Sequence, residues 1–450
     1  MFIYILLFLL FSVQTLLNEK SNMTINYGKS LIENALKNYN LHKPSSRRIA
    51  LRIKPTAERA LRNGHPWLFE DAILEQSHEG SPGDLAIVFD KKRRFLAVGL
   101  YDPRDSIRVR ILQHKKPAPI NQDWFKKNLA LAKKRRQPLI TGSPETTTTG
   151  YRLVHGENDS FPGLVLDLYN QSAVLKLYTP AWIPHLEDFL CALQNTAPVE
   201  RIVLRLSRAM MEHQQSLHGL QDGLILIGTT INHPILFHEN GLIFETDPIR
   251  GQKTGFFLDQ RDNRARVGKL SKGKSVLNVF AYTGGFSVYA ARGGAKKIIS
   301  LDQSNHALET AVRNFSHNNK IPDVLSAKHE IMADDAFAAM NKMKNESRRF
   351  DMVIVDPPMF AQKKAQVSKA IQAYRRLTQL SLSLLYPGGI LVQASCSNPI
   401  EAALFFKNVQ QSALQMGRPI TEIERSQHAL DHPITFKEGA YLKCIFAFAP

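Results

Sequence analysis

The spacing of apolar and polar positions changes several times along this chain, and each change marks a different kind of element. From Arg48 the run IALRI alternates and is followed by a short helical stretch and the turn Asn63-Gly64-His65-Pro66. Leu85–Phe89 and Phe95–Tyr101 are apolar runs on either side of Asp90-Lys91-Lys92-Arg93-Arg94, which predicts a β-hairpin. Ile107–Leu112 reads as a further strand. Short strands with little helix predict a small β-barrel over residues 47–119. Residues 121–137 then take a helical spacing with one basic face, and Pro138–Thr149 reads as a polar linker. Two strands can pair across Tyr169-Asn170-Gln171. A helix follows around Ile183–Leu193, and a strand over Arg201–Leu206. Residues 120–236 therefore read as a middle α+β domain. Arg152, His155, Glu157, Asp159 and Gly163 cluster there, and turn chemistry accounts for most of them.

From residue 237 to 450 the pattern becomes that of a sheet buried on both faces. Asn240-Gly241 predicts a tight hairpin ahead of Leu242–Thr246. Val276, Leu277, Val279 and Phe280 form a short apolar run. Tyr282-Thr283-Gly284-Gly285 breaks it, since glycine permits a sharp turn. Phe286–Ala291 looks helical, Gly293-Gly294 ends the helix, and Ile298–Leu301 is a second strand closed by Asp302. That is a βαβ unit with a nucleotide-type crevice at the carboxyl ends of its strands, where an acid can hold two ribose hydroxyls. The glycines do not follow the G-x-G-x-x-G spacing, so no phosphate cradle is read.

Further along, Ala307–Asn318 is helical and leads to Val324–Ala327, read as the next strand. Asp334 and Asp335 precede Ala336-Phe337. Either acid can accept from an adenine amine or cap a helix. Phe350–Val355 is a buried strand ending in Asp356-Pro357-Pro358-Met359-Phe360. Tyr374–Leu385 is an amphipathic helix, Pro387-Gly388-Gly389 ends it, and Ile390–Ala394 runs into Ser395-Cys396-Ser397. The predicted fold class is α/β: a doubly wound, Rossmann-like sheet preceded by the small barrel and the middle domain.

Charge adds a partner to this picture. The 450-residue chain carries a formal net charge of +18. Residues 1–140 hold 25 Lys/Arg against 12 Asp/Glu, so most of the excess sits ahead of the α/β sheet. Such asymmetry points to a polyanion, most simply a nucleic acid. The three cysteines, Cys191, Cys396 and Cys444, have no metal-ligand spacing. They exclude a disulfide framework and fit a reducing compartment. The uncharged apolar residues 1–17 lack the positive flank of a secretory signal and are short for a membrane span. They read first as an upstream start-site extension of a cytoplasmic protein, then as a membrane anchor, then as a cleaved signal.

Several motifs also carry a family resemblance. GHPWLF with its following strands resembles a PUA domain, a small RNA-binding pseudo-barrel. HENG…GQKTGFFLDQRDNR, VLNVFAYTGGFSVYAA, DPPMF and ASCS together resemble the bacterial 23S ribosomal RNA cytosine-C5 methyltransferase family, over about residues 47–450. The resemblance implies S-adenosylmethionine (SAM) as cofactor, with Phe280, Tyr282, Thr283, Gly284, Gly285, Asp302, Asp335, Gln260 and Arg261 around it. It implies Cys396 as nucleophile and Asp356 as the acid orienting the base. Lys91, Lys92, Arg93, Arg94, Pro357, Pro358 and Phe360 would meet RNA, either 23S ribosomal RNA or a large-subunit precursor. No metal is implied, and a homodimer is compatible. One departure is Met359, where the family commonly has a lysine.

The chemistry explains why a cysteine is wanted. Carbon 5 of cytosine is a weak nucleophile until a thiolate adds at carbon 6 and places electron density on it. Two other readings stay open at this stage. One is amino-group methylation of guanine or adenine at the Asp-Pro-Pro-Met-Phe loop, with Cys396 structural. The other is a non-catalytic RNA-binding module for ribosome assembly.

Overall fold

A computed structural model describes residues 30–39, 41–143 and 145–450. The apolar run 1–17 and the expectations attached to it lie outside the described residues. Among the described residues no helix is long and apolar enough to cross a membrane. The chain forms two compact units. One comprises Met1–Thr141, Thr149–Ile235 and Thr246–Phe256, the other Gly142–Thr148, Leu236–Glu245 and Phe257–Pro450.

The first unit contains two sheets. Strands β1 (Ile49–Ile53), β2 (Trp67–Leu68), β3 (Ile73–Gln76), β4 (Leu85–Phe89), β5 (Phe95–Tyr101) and β6 (Val109–His114) form a six-stranded sheet in the order β2-β6-β5-β4-β1-β3. The predicted hairpin is β4–β5, antiparallel. Strand β6 begins later than the apolar run suggested. The Asp105 carboxylate accepts from the Ile107 amide at 3.0 Å and keeps that residue in the preceding turn.

The second sheet comprises β7 (Gly150–His155), β8 (Leu164–Tyr169), β9 (Ser172–Leu177), β10 (Arg201–Leu206) and β11 (Ile225–Ile227), ordered β11-β10-β9-β8-β7. Helix α1 spans Gln122–Ile140 and runs through Pro138, where a linker was expected. One core serves both sheets: Leu85, Val98 and Leu100 belong to the same apolar cluster as Phe125, Phe161, Trp182 and Phe189. Turn chemistry explains part of the polar cluster that begins in β7: Asp159 accepts from the His155 amide at 2.8 Å, and Gly163 has positive φ. Arg152 pairs with Asp167 at 2.7 Å, and buried Arg136 pairs with Asp159 at 2.6 Å. Arg152 and Asp159 are thus also held by charges on other elements, which local spacing does not reveal.

The second unit carries the hairpin β12 (Ile235–Glu239) and β13 (Leu242–Thr246). Its turn has positive φ at Asn240 and Gly241, as the Asn-Gly pair predicts. Strands β14 (Ser275–Val279), β15 (Lys297–Asp302), β16 (Lys328–Ala333), β17 (Phe350–Val355), β18 (Leu385–Ser395), β19 (Thr421–Ser426) and β20 (Lys443–Ala449) form a seven-stranded sheet. Its order is β16-β15-β14-β17-β18-β20-β19. The first five are parallel, and β20 lies antiparallel between β18 and the edge strand β19. The strand order reverses between β14 and β17, which is where such sheets open a crevice.

Two local expectations give way in this unit. Phe280 lies outside β14, and Val324–Ala327 falls mostly in the short helix Pro322–Ser326, which Pro322 starts. The strand beyond it, β16, is an exposed edge, so its sequence KHEIMA lacks the apolar signal of its neighbours.

Candidate active site

The crevice begins where β14 ends. Phe280, Tyr282 and Gly284 all take positive φ, at 60°, 49° and 74°. Three left-handed residues within five turn the chain sharply before helix α2 (Gly285–Arg292). Gly284 is required for packing: a Cβ there would stand 2.7 Å from that of Ala311. Asp302 ends the adjacent strand β15 and is half-buried. Its Oδ2 accepts from the Tyr282 amide at 2.8 Å and its Oδ1 from the Ser304 amide at 2.9 Å. The carboxylate is thus oriented by backbone while still facing the open strand ends. Thr283 is buried, and its carbonyl accepts from Asn314 Nδ2 at 2.8 Å.

Behind this loop runs a buried polar chain. Asn278 Nδ2 donates to Ser287 Oγ at 2.9 Å, Ser287 and Ser300 hydroxyls lie 2.8 Å apart, and Ser300 Oγ meets His329 Nε2 at 2.9 Å. Burial pushes His329 down to about 4, so the ring is neutral at physiological pH.

Asp335 caps the helix Ala336–Asn345, accepting from the Ala338 amide at 2.9 Å. Its other oxygen accepts from Gln303 Nε2 at 3.1 Å. Asp334 accepts from the Asp335 amide. Both acids are exposed beside Asp302, whose register partner is Ala333 on β16. Gln260 and Arg261 have a different setting. Gln260 is buried and accepts from Asn263 Nδ2 at 2.5 Å. Arg261 is fully buried and makes two hydrogen bonds to Asp431, at 2.7 and 3.0 Å. Arg264 pairs in the same way with Glu239 at 2.6 Å. The charge density of DQRDNR is therefore largely spent on buried ion pairs, and the Arg261 guanidinium is not displayed in the crevice.

Across the switch point, β17 ends at Val355 and Asp356 follows, half-buried. Cys396 follows β18, the parallel neighbour of β17. Its Sγ lies 4.0 Å from the carbonyl oxygen of Pro357, so the cysteine and the Asp-Pro-Pro loop are side by side. Ser397 fixes this corner. Its Oγ accepts from the amides of Phe360 and Ala361 at 3.1 and 3.3 Å and meets Tyr374 OH at 3.2 Å. Tyr374 comes from helix α3 (Val367–Ser383), and burial pushes its hydroxyl up to about 12. Pro357 is buried, Pro358 and Met359 are exposed, and the Phe360 ring packs 5.0 Å from that of Tyr374. Cys444 is fully buried in β20 and its thiol is pushed well up, first by burial.

Sequence reasoning missed Tyr374, Ser397 and Lys443 here. Lys443 was the detectable one: it is a lone charge in the apolar run LKCIFAF.

In the first unit, the basic turn of the six-stranded sheet is built on Asp90. This carboxyl is held at about 2, first by the Arg94 amide. It also accepts from the Lys92 amide at 2.9 Å and pairs with the Arg94 side chain at 2.8 Å. Arg94 is thus anchored although exposed, and Lys91, Lys92 and Arg93 are exposed beside it. Arg108 and Arg110 are buried and paired, with Glu70 and Asp105.

A crevice built from these strand ends defines a class I SAM-dependent methyltransferase. Residues 227–427 match the S-adenosylmethionine-dependent methyltransferase family, and residues 51–114 match a PUA-like domain. A methyltransferase structure from Streptococcus mutans superposes with a TM-score of 0.74 at 22% identity, covering 89% of this chain and 99% of that one. At that identity the likeness speaks for the fold. Among curated relatives, a "Ribosomal RNA large subunit methyltransferase" of Deinococcus radiodurans is 45% identical over 405 residues, 89% of this chain and 98% of the relative. "Ribosomal RNA large subunit methyltransferase I" of Pseudoalteromonas translucida is 36% identical over 396 residues, 88% and 98% of the two chains. The chain belongs to this family of ribosomal RNA large subunit methyltransferases, and its cofactor is SAM.

The crevice fits that cofactor. A half-buried carboxylate, already oriented by two amides, suits a ribose diol, and the left-handed loop brings backbone to the same place.

Proposed function

We propose that this protein methylates carbon 5 of a cytosine in 23S ribosomal RNA, as free RNA or within a precursor of the large subunit in the cytoplasm. The observation that carries the reading is the 4.0 Å approach of Cys396 Sγ to the Pro357 carbonyl. It brings a thiol beside the loop that follows Asp356, on neighbouring strand ends of one sheet, and this supports a joint role for Cys396 and Asp356. Bound SAM supplies an electrophilic methyl group. In this reading Cys396, as thiolate, adds to carbon 6 of a flipped-out cytosine and makes carbon 5 nucleophilic. Asp356 hydrogen-bonds the ring nitrogen or amino group and holds the ring over the thiolate. Once carbon 5 has taken the methyl group, its proton passes to water, and the electron pair left behind re-forms the carbon 5–carbon 6 double bond as the bond to sulfur breaks. Pro357 and Pro358 restrict the loop, and exposed Pro358 with Phe360 offers apolar surface to the base. Asp302 holds the ribose of the cofactor, with Asp335 or Asp334 toward the adenine.

The six-stranded sheet of residues 47–119 serves as the RNA-binding part, through Lys91, Lys92 and Arg93 on one turn. Residues 237–450 perform the chemistry. The test is transfer of methyl from labelled SAM to ribosomal RNA, followed by bisulfite sequencing of the product. A cytosine protected from conversion, dependent on Cys396, is the expected result. Methyl transfer without bisulfite protection would place the methyl on an amino group and discard the reading.

A further inference from the structure

Cys396 and Asp356 follow neighbouring strands, and a carboxylate on the next strand end is a poor neighbour for a thiolate. Asp356 follows β17 and Cys396 follows β18, its parallel partner. The hydroxyl of Tyr374 feels the charges of both. Two negative groups on adjacent strand ends repel, and that repulsion favours the neutral thiol. A nucleophilic cysteine in such a place needs a cation nearby.

The final strand brings one. β20 runs antiparallel to β18 with Lys443 directly opposite Ser395. This register carries the lysine to the sheet edge at the residue before Cys396. Its Nζ donates to the carbonyl oxygen of Ser397, the residue after Cys396, at 2.7 Å. Lys443 is only 2% exposed. An ammonium is held in a dry site at a cost unless it serves an opposite charge. Burial lowers it to about 8, and the charge of Cys396 acts in the opposite direction.

We propose that the Lys443 ammonium is the counter-charge that keeps Cys396 ionised, a positioning residue for the nucleophile. The inference rests on the reading of Cys396 as the attacking group. The Cys396 thiol proton passes to solvent, the electron pair stays on sulfur, and the ammonium keeps its three protons. The remaining groups around this corner do not supply the charge. Tyr374 stays protonated, and burial keeps the Cys444 thiol neutral. His428, which shares a surface hollow with Lys443, accepts through Nε2 from the amides of Tyr441 and Leu442 and is thereby neutral. Arg425, on the same hollow, pairs with Glu422 at 2.8 Å. Among these described residues, Lys443 is the cation whose charge and that of Cys396 act on each other.

The test is the pH dependence of Cys396 alkylation by iodoacetamide in the full chain. Mass spectrometry of the Cys396 peptide separates it from Cys191 and Cys444. For the wild type, the midpoint should lie below that of an ordinary cysteine, about 8.5. Lys443→Met should raise it by about one pH unit or more, and Lys443→Arg should restore most of the shift. An unshifted midpoint in a folded Lys443→Met protein overturns the inference. Where that variant fails to fold, a wild-type midpoint at or above 8.5 overturns it and a lower one supports it. Alkylation reports ionisation whether or not RNA is methylated. Loss of the nucleophile reading, seen as 5-methylcytosine formed by Cys396→Ala, is therefore a separate result.

Discussion

The Asp302 carboxylate and the Tyr282 backbone amide, on the ends of neighbouring parallel strands, are joined by a hydrogen bond of 2.8 Å. This contact ties the acid of β15 to the left-handed loop after β14, so the expected ribose contact and the loop geometry are set together. Asp302→Ala should remove a charge-assisted contact worth about 1.5–3 kcal/mol and also free the Tyr282 amide. SAM binding measured by calorimetry should weaken roughly 10- to 100-fold. Unchanged affinity would exclude Asp302 from the cofactor site.

The cysteine gives a different signature. Cys396→Ala should leave SAM affinity within about a factor of two while methyl transfer to ribosomal RNA falls by roughly 1,000-fold or more, since covalent activation of carbon 5 is lost. Binding can be followed by calorimetry and transfer with labelled SAM. Transfer at the wild-type rate would reject the thiolate route.

A pH prediction comes from His329. Its folded value of about 4 lies below the ordinary histidine value. The unfolded chain therefore binds the extra proton first as pH falls. The stabilising contribution is complete above about pH 6.5 and is lost as pH falls toward 4, with a slope of at most about 1.4 kcal/mol per pH unit. Urea unfolding at several pH values should show this slope, and His329→Gln should flatten it. An equal slope in the variant would assign the effect elsewhere.

The basic turn can be tested by salt. Replacing Lys91, Lys92 and Arg93 together by alanine should weaken RNA binding for all sequences alike. It should also lower the slope of log K against log salt by about 2 if all three meet phosphates of single-stranded RNA. Arg94 is left in place because it anchors Asp90. An unchanged slope would move the RNA contact off this turn.

Much of this protein was determined by local sequence. The apolar runs at Val276–Val279 and Phe350–Val355 have to be buried on both faces, and β14 and β17 follow from them. Asn240-Gly241 takes the positive φ values that its turn needs. The motifs around Asp302, Asp356 and Cys396 all fall at strand ends, because a parallel sheet places the carboxyl end of each strand on one edge. Tertiary structure decided what depends on partners far away in sequence. Arg261 reads as a site residue in its own segment, but Asp431 holds it in a buried pair. Edge strand β16 was hidden because it is exposed and polar. Lys443 reaches the Cys396 corner only because β20 runs antiparallel to β18, putting the lysine opposite Ser395. Local periodicity reports which face of an element is buried. It carries no information on which distant charge will meet it, since that is set by strand order and register.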